Sequence, residues 1–162
     1  MLQTLARPRG SENPGFSLEK LPPAGMTTTT PELAYVVEDD AITSLITTMI
    51  VRKNLRTGQV QTYANGQQAI DQLTAALRAG VGIPDLILLD LNMPLMDGWE
   101  FLDAFTSLPL AKKVCVFVLT SSIYDADMAK AATYKAVNGY FSKPLDTSNV
   151  QRMQQLLQEA AV

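Results

Sequence analysis

Residues 85–98 read DLILLDLNMPLMDG, and the fold follows from how this stretch is parsed. Residues 86–90 hold four apolar side chains and one acid, set between turn formers. A short apolar run of this kind suits a strand buried on both faces of a parallel sheet. It ends on a carboxylate, Asp90. Residues 91–97 then read as a loop, because Pro94 cannot continue a strand ladder, and Gly98 closes the turn. An aspartate at the carboxyl end of a buried strand stands where open α/β sheets place their ligands. The competing role, capping the next helix, fits poorly. A cap sits one residue before its helix, and the next helical pattern opens near Trp99.

Outward from this stretch, short apolar runs alternate with helical patterns. Residues 33–37 form a first strand. Ile42, Leu45, Ile46, Met49 and Ile50 recur at i, i+3, i+4, i+7 and i+8, one face of a helix, and Gly58 ends it. Residues 59–64 alternate as a strand near an edge. Asn65-Gly66 turns into a second helix with Ala69, Ile70, Leu73, Ala76 and Leu77 on its buried face. Gly80, Gly82 and Pro84 break it. After the strand ending at Asp90, a helix from Gly98 carries Trp99, Leu102 and Phe105 inward and stops by Pro109. Residues 114–119 make a fourth buried strand, followed by a helix over about residues 125–136. Tyr140 and Phe141 mark a short fifth strand. The last helix starts near Asp146 and carries Val150, Met153, Leu156, Leu157 and Ala160. Five such units predict an α/β fold with helices on both faces of a five-stranded parallel sheet. Right-handed crossovers make the flavodoxin-like, doubly wound order 2-1-3-4-5 the simplest topology.

The chain has 162 residues and a net charge of −3, with scattered basic residues and no nucleic-acid footprint. Residues 1–31 are read as a disordered N-terminal extension and residues 32–162 as one domain. The extension holds five of the nine prolines and three of the nine glycines, and it lacks periodicity. Met26 is a candidate natural start, and a docking arm is the functional alternative for this segment. Cys115 lies in an apolar run and reads as a small buried hydrophobe. No apolar run approaches membrane-spanning length and no secretion signal is present, so a cytoplasmic protein is expected. Histidine is absent. That excludes His-dependent triads, His metal sites and phosphohistidine on this chain.

Chemistry-bearing residues collect at the carboxyl ends of the expected strands. Strand one ends in Glu38-Asp39-Asp40, strand three in Asp90, strand four in Thr120-Ser121-Ser122 and strand five in Ser142-Lys143-Pro144. Clustered carboxylates repel one another in a partly desolvated site. A hard divalent cation relieves that repulsion, and oxygen-only ligands point to Mg²⁺ rather than Zn²⁺. Any one of these residues alone reads as a solvated loop charge; four strand ends together do not. A carboxylate is also a competent nucleophile toward a phosphoryl group.

The set resembles the receiver domain of two-component response regulators, the CheY-like family, from residue 33 onward. Glu38 and Asp39 match the family's acidic pair and Asp90 its phosphoacceptor. Asn92-Met93-Pro94 and Asp97-Gly98 match the loop that follows. Thr120 matches the switch hydroxyl, Tyr140 the switch aromatic, and Lys143-Pro144 the lysine with its cis-peptide proline. The resemblance implies Mg²⁺ held by Asp39, Asp90 and the backbone carbonyl of Asn92, with Glu38 acting through water. It implies a phosphoryl donor that is a sensor histidine kinase or a histidine phosphotransfer protein. Lys143 would face the transferring group, and Thr120 and Tyr140 would turn a surface of helix four, strand five and helix five toward a protein partner. The implied protein is a signalling phosphoacceptor that catalyses its own phosphorylation and dephosphorylation. It is a monomer or weak dimer that binds neither nucleic acid nor membrane.

The interval from Asp39 to Asp90 is long for the family, and the surplus falls at residues 79–84. Ser122 and Asn92 occupy the positions expected to tune phosphate lifetime. No output domain follows the fifth helix, so a stand-alone receiver is expected. Two other classes compete. A phosphate-insensitive scaffold would have no need of Glu38, Asp39, Asp90, Thr120 and Lys143 at one edge. An aspartate-dependent phosphatase would want a second acid two residues after Asp90, where Asn92 stands.

Overall fold

The computed structural model describes residues 30–122 and 124–160; most of the expected extension lies outside them. Its elements are β1 (Leu33–Val37), α1 (Ala41–Asn54), β2 (Gln59–Tyr63), α2 (Gly66–Ala79), β3 (Leu86–Leu89), α3 (Gly98–Thr106), β4 (Cys115–Thr120), α4 (Asp125–Ala132), β5 (Val137–Ser142) and α5 (Thr147–Ala160). The five strands form one sheet in the order β2-β1-β3-β4-β5, with every pair parallel. The expected flavodoxin-like α/β topology is therefore the one observed. No helix among the described residues is long and apolar enough to cross a membrane.

Strand side chains alternate between two cores, as the two-residue period requires. Ala34, Val36, Leu86, Leu88, Cys115 and Phe117 pack on one face with Val51 of α1 and Met153 of α5. Tyr35, Val37, Ile87, Leu89 and Val116 pack on the other with Leu73 of α2 and Phe101, Leu102 and Phe105 of α3. β3 and β4 are buried along their whole length, which is why their sequences are near-continuous apolar runs. Cys115 is buried among them, and desolvation lifts its thiol pKa to about 12, so it is an inert hydrophobe.

The expected α1 face is turned the other way. Ile42, Leu45, Ile46 and Met49 are 71%, 61%, 52% and 62% exposed. The buried residues of α1 are Ser44, Thr47, Thr48 and Val51. The helix rotation is set at its start, where the Asp40 side chain accepts from the Thr43 N–H at 2.7 Å. Only three residues, 38–40, join β1 to α1, so that cap leaves little freedom to rotate the apolar stripe inward.

Pro31, ahead of β1, is buried and its carbonyl accepts from Gly58 N–H at 3.2 Å. Two element boundaries also differ from expectation. α4 stops at Ala132, where the Thr133 hydroxyl bonds back to the Lys130 carbonyl at 2.6 Å. β5 begins at Val137 rather than near Tyr140, and the β4–β5 register shifts between Val116 and Phe117.

Candidate functional site

All five β–α connections leave the sheet at one edge, and the expected site residues meet there. Glu38 follows β1 directly, is buried, and accepts from the Asp40 N–H at 3.1 Å. Asp39 beside it is exposed. Asp40 is spent on capping α1, so two of the three acids after β1 remain for chemistry. Asp90 follows β3 and is only 6% exposed. Its N–H donates to the Val37 carbonyl at 3.0 Å, which fixes its backbone between β1 and β3. Its Oδ1 accepts from the Asn92 N–H at 3.3 Å.

Asp90 does not cap α3; Asp97 does. The Asp97 side chain accepts from the Glu100 N–H, and the Glu100 side chain accepts from the Asp97 N–H, each at 2.9 Å. That helix start presses on the strand end. A Cβ at Gly98 would lie 2.5 Å from the Asp90 carbonyl oxygen and 2.7 Å from the Leu91 Cα. Glycine is needed at position 98 for this close approach.

Lys143 follows β5, before a cis peptide bond to Pro144. Its ammonium pairs with Glu38 and lies 3.2 Å from Asp90 Oδ2. Oxygens of Glu38, Asp39 and Asp90 all fall within 4.8 Å of one another. Three carboxylates therefore face one ammonium. Desolvation raises the Glu38 carboxyl above its ordinary range, and this outweighs the hydrogen bond from Lys143; the Asp90 charge adds to the rise. Burial alone would lower Lys143, but the hydrogen bond to Glu38 and the Asp90 charge outweigh it and raise the ammonium pKa. Burial drives the first shift and the neighbouring carboxylates drive the second. An all-oxygen donor set of this charge fits a hard divalent cation such as Mg²⁺ or Mn²⁺.

Thr120 ends β4 and is fully buried, and its hydroxyl accepts from the Ser122 N–H at 3.2 Å. Tyr140 of β5 is half-buried and donates its hydroxyl to the Ser122 carbonyl at 3.2 Å. The Ser122 hydroxyl in turn donates to Asp127 of α4 at 2.5 Å. Ser122 therefore joins Thr120, Tyr140 and α4 at one residue. Asp127 had no signal in the sequence, because its part depends on how α4 is rotated. Trp99, expected to face inward with Leu102 and Phe105, is only half-buried; it stacks on Tyr134 with ring centroids 6.2 Å apart and carries the Lys130 ammonium 4.3 Å from its centroid. With the Tyr134 hydroxyl donating to Asp103 at 2.7 Å, it straps the end of α4 to α3.

Comparison with known proteins places this geometry. The solved structure of a two-component response regulator from Cytophaga hutchinsonii superposes with a TM-score of 0.70 at 32% identity, covering 78% of this chain and 96% of that one. The Mn²⁺-bound form of response regulator Rcp1, a Synechocystis protein, superposes with a TM-score of 0.59 at 28% identity, covering 76% and 89%. A probable methanogenesis regulatory protein, FilR2 of Methanothrix harundinacea, is 29% identical over 129 residues, covering 80% of this chain and 83% of that protein. The family description for the response regulator receiver domain matches residues 34–155, from the first strand through most of the last helix. On that match and the acidic edge it encloses, the chain belongs to the response regulator receiver domain family.

Proposed function

We propose that Asp90 is the phosphoacceptor of this chain. The observation that carries this reading is a nearly buried Asp90 carboxylate, 3.2 Å from the Lys143 ammonium and clustered with Glu38 and Asp39. An Asp90 oxygen attacks the phosphorus of a phosphohistidine; the P–N bond breaks, the imidazole leaves with the electron pair, and an aspartyl phosphate forms. Asp39, Asp90 and the Asn92 backbone carbonyl would hold Mg²⁺, with Glu38 acting through water. When bound, the cation neutralises charge on the phosphoryl oxygens. Lys143 supplies the chain's own positive charge on the other side, and catalysis is otherwise positioning. The same residues support hydrolysis of the phosphate, with Asn92 and Ser122 placed to tune its lifetime.

The donor is a histidine kinase or histidine phosphotransfer protein. It meets an apolar rim: Ile42, Leu45 and Ile46 on the first turns of α1, Leu95 in the β3–α3 loop, and Tyr124 before α4 are all exposed. Exposed apolar groups gathered at one edge of a protein mark an interaction site. Once phosphate is present, the Thr120 hydroxyl turns from Ser122 to a phosphoryl oxygen, Tyr140 loses its hold on the Ser122 carbonyl, and α4, β5 and α5 present a changed surface.

Mass spectrometry after acetyl phosphate treatment with Mg²⁺ tests the assignment. Wild type should gain one base-labile phosphoryl group and Asp90→Asn none. Excess chelator should suppress the gain. An equal adduct in Asp90→Asn would place the acceptor elsewhere, with Asp39 next.

A further inference from the structure

Leu95 carries two unfavourable features at once. It is 87% exposed, more than any other large apolar side chain among the described residues. Its backbone has φ +68°. The Pro94 carbonyl accepts from the Met96 N–H at 2.8 Å, so Leu95 is the central residue of a three-residue turn in its positive-φ form, the rare and strained one. That conformation suits glycine or asparagine and crowds the Cβ of a leucine. Nothing among the described residues buries the side chain in return.

The turn is nonetheless held firmly. The Met96 carbonyl accepts from the Gly66 N–H at 3.2 Å, and the Gly98 N–H donates to the Leu91 carbonyl at 2.9 Å. Leu91, beneath the loop, is only 2% exposed. A Cβ at Gly66 would lie 2.9 Å from the Met96 side chain, so α2 and the loop are in direct contact. Leu95 is therefore presented outward by a fixed turn that begins at Asp90.

We propose that Leu95 is a specificity-determining contact for the protein phosphodonor, inserted into an apolar pocket beside the donor's phosphohistidine. This rests on Asp90 as acceptor. Whatever delivers a phosphoryl group to Asp90 must cross the rim on which Leu95 stands. Lys143 and a bound cation act on the transferred phosphoryl group, which every donor shares, so they do not tell one protein donor from another. Contacts around the rim have to supply that discrimination, and Leu95 offers the most exposed apolar one. A small-molecule phosphodonor makes no such contact and is indifferent to residue 95.

The test compares two donors on Leu95→Asn and Leu95→Met. One donor is acetyl phosphate; the other is whichever autophosphorylated kinase core, from a panel of purified histidine kinases, loads the wild-type chain fastest. Asparagine tolerates the turn, so Leu95→Asn should raise the melting temperature by roughly 2–4 °C. It should load from acetyl phosphate within twofold of wild type. Its transfer rate from the kinase should fall by about tenfold, the loss expected for one unburied leucine. Leu95→Met keeps the apolar volume and should transfer within about threefold of wild type. Unchanged kinase transfer in Leu95→Asn overturns the proposal. An equal fall with both donors overturns it too, since the residue would then act on the site rather than on docking. A lowered melting temperature in Leu95→Asn would show an internal packing role and remove its basis. A panel in which no kinase loads a chain that acetyl phosphate does load would likewise count against it. Failure of acetyl phosphate on wild type would instead strike the Asp90 assignment.

Discussion

Asp85 shows how single side chains hold the edge of the sheet opposite the site. Its carboxylate accepts from the backbone N–H groups of Glu32 at 2.8 Å and Leu33 at 3.2 Å and pairs with Lys112. Burial would raise its pKa, but these partners outweigh it and hold the carboxyl below its ordinary value of 3.8. An acid with a depressed folded pKa stabilises the fold above its unfolded pKa and loses that contribution as pH falls through the folded value. Asp85→Asn should therefore cost about 1 kcal/mol at pH 6, a modest figure because Lys112 is partly solvated. The difference from wild type should shrink as pH drops below 3.8. Urea unfolding at pH 6 and pH 3 reads both arms, and a cost independent of pH would mean that shape rather than charge matters at Asp85. At the functional edge, Lys143 touches both buried carboxylates. Lys143→Ala leaves them unpaired, so it should slow phosphorylation and lower stability by about 2 kcal/mol in chelator. Added Mg²⁺ should restore more stability to this variant than it adds to wild type, as thermal melts with and without the cation would show.

At the scale of elements, α1 separates what pattern reading captures from what it misses. Strand identity and the positions of Glu38, Asp39, Asp90, Thr120 and Lys143 were legible because buried parallel strands are continuous apolar runs and ligands gather where they end. The period of α1 was legible too, but its rotation was not. A 3.6-residue stripe shows that one face is apolar without showing which way that face points. Here the Asp40 cap turns the stripe to solvent and leaves hydroxyls against the sheet. The Thr48 hydroxyl is buried and finds no hydrogen-bond partner among the described residues. Thr48→Val keeps the shape and removes that orphan, so it should stabilise the domain by about 1 kcal/mol. Leu45→Ser on the exposed face should change stability by less than about 0.5 kcal/mol. Denaturant melts of both variants check this; a large loss in Leu45→Ser with none gained in Thr48→Val would mean the helix is rotated the other way. The strap of Trp99, Lys130 and Tyr134 was illegible for a similar reason, since α4 ends earlier than its sequence pattern and Tyr134 leaves the helix to reach α3.

Across the whole molecule, the two ends of α4 are held by different things. Its first turn is tied through Ser122 to Thr120 and Tyr140, and its far end is strapped to α3, which itself presses on the backbone of Asp90. Only one of α4's own residues, Ala131, is buried, so the helix is held by these ties more than by core packing. A change at Thr120 acts on the loosely packed end while the strap keeps the other fixed. Thr120→Ala should accept phosphate at Asp90 at close to the wild-type rate, because Lys143 and a bound cation supply the charge stabilisation. It loses one hydrogen bond to a charged acceptor, about 1.5–3 kcal/mol. A two-state switch needs a differential of about 5.5 kcal/mol to pass from 1% to 99% in the active state. A shortfall of that size leaves the variant phosphorylated but only partly switched. Amide NMR on the acetyl-phosphate-treated protein should show full perturbation around Asp90 and reduced shifts across α4, β5 and α5. Complete switching in Thr120→Ala would leave Thr120 as a strand-end residue only. The signal would then have to run from Asp90 through Gly98 and Trp99 into the strapped end of α4, which Trp99→Leu would interrupt.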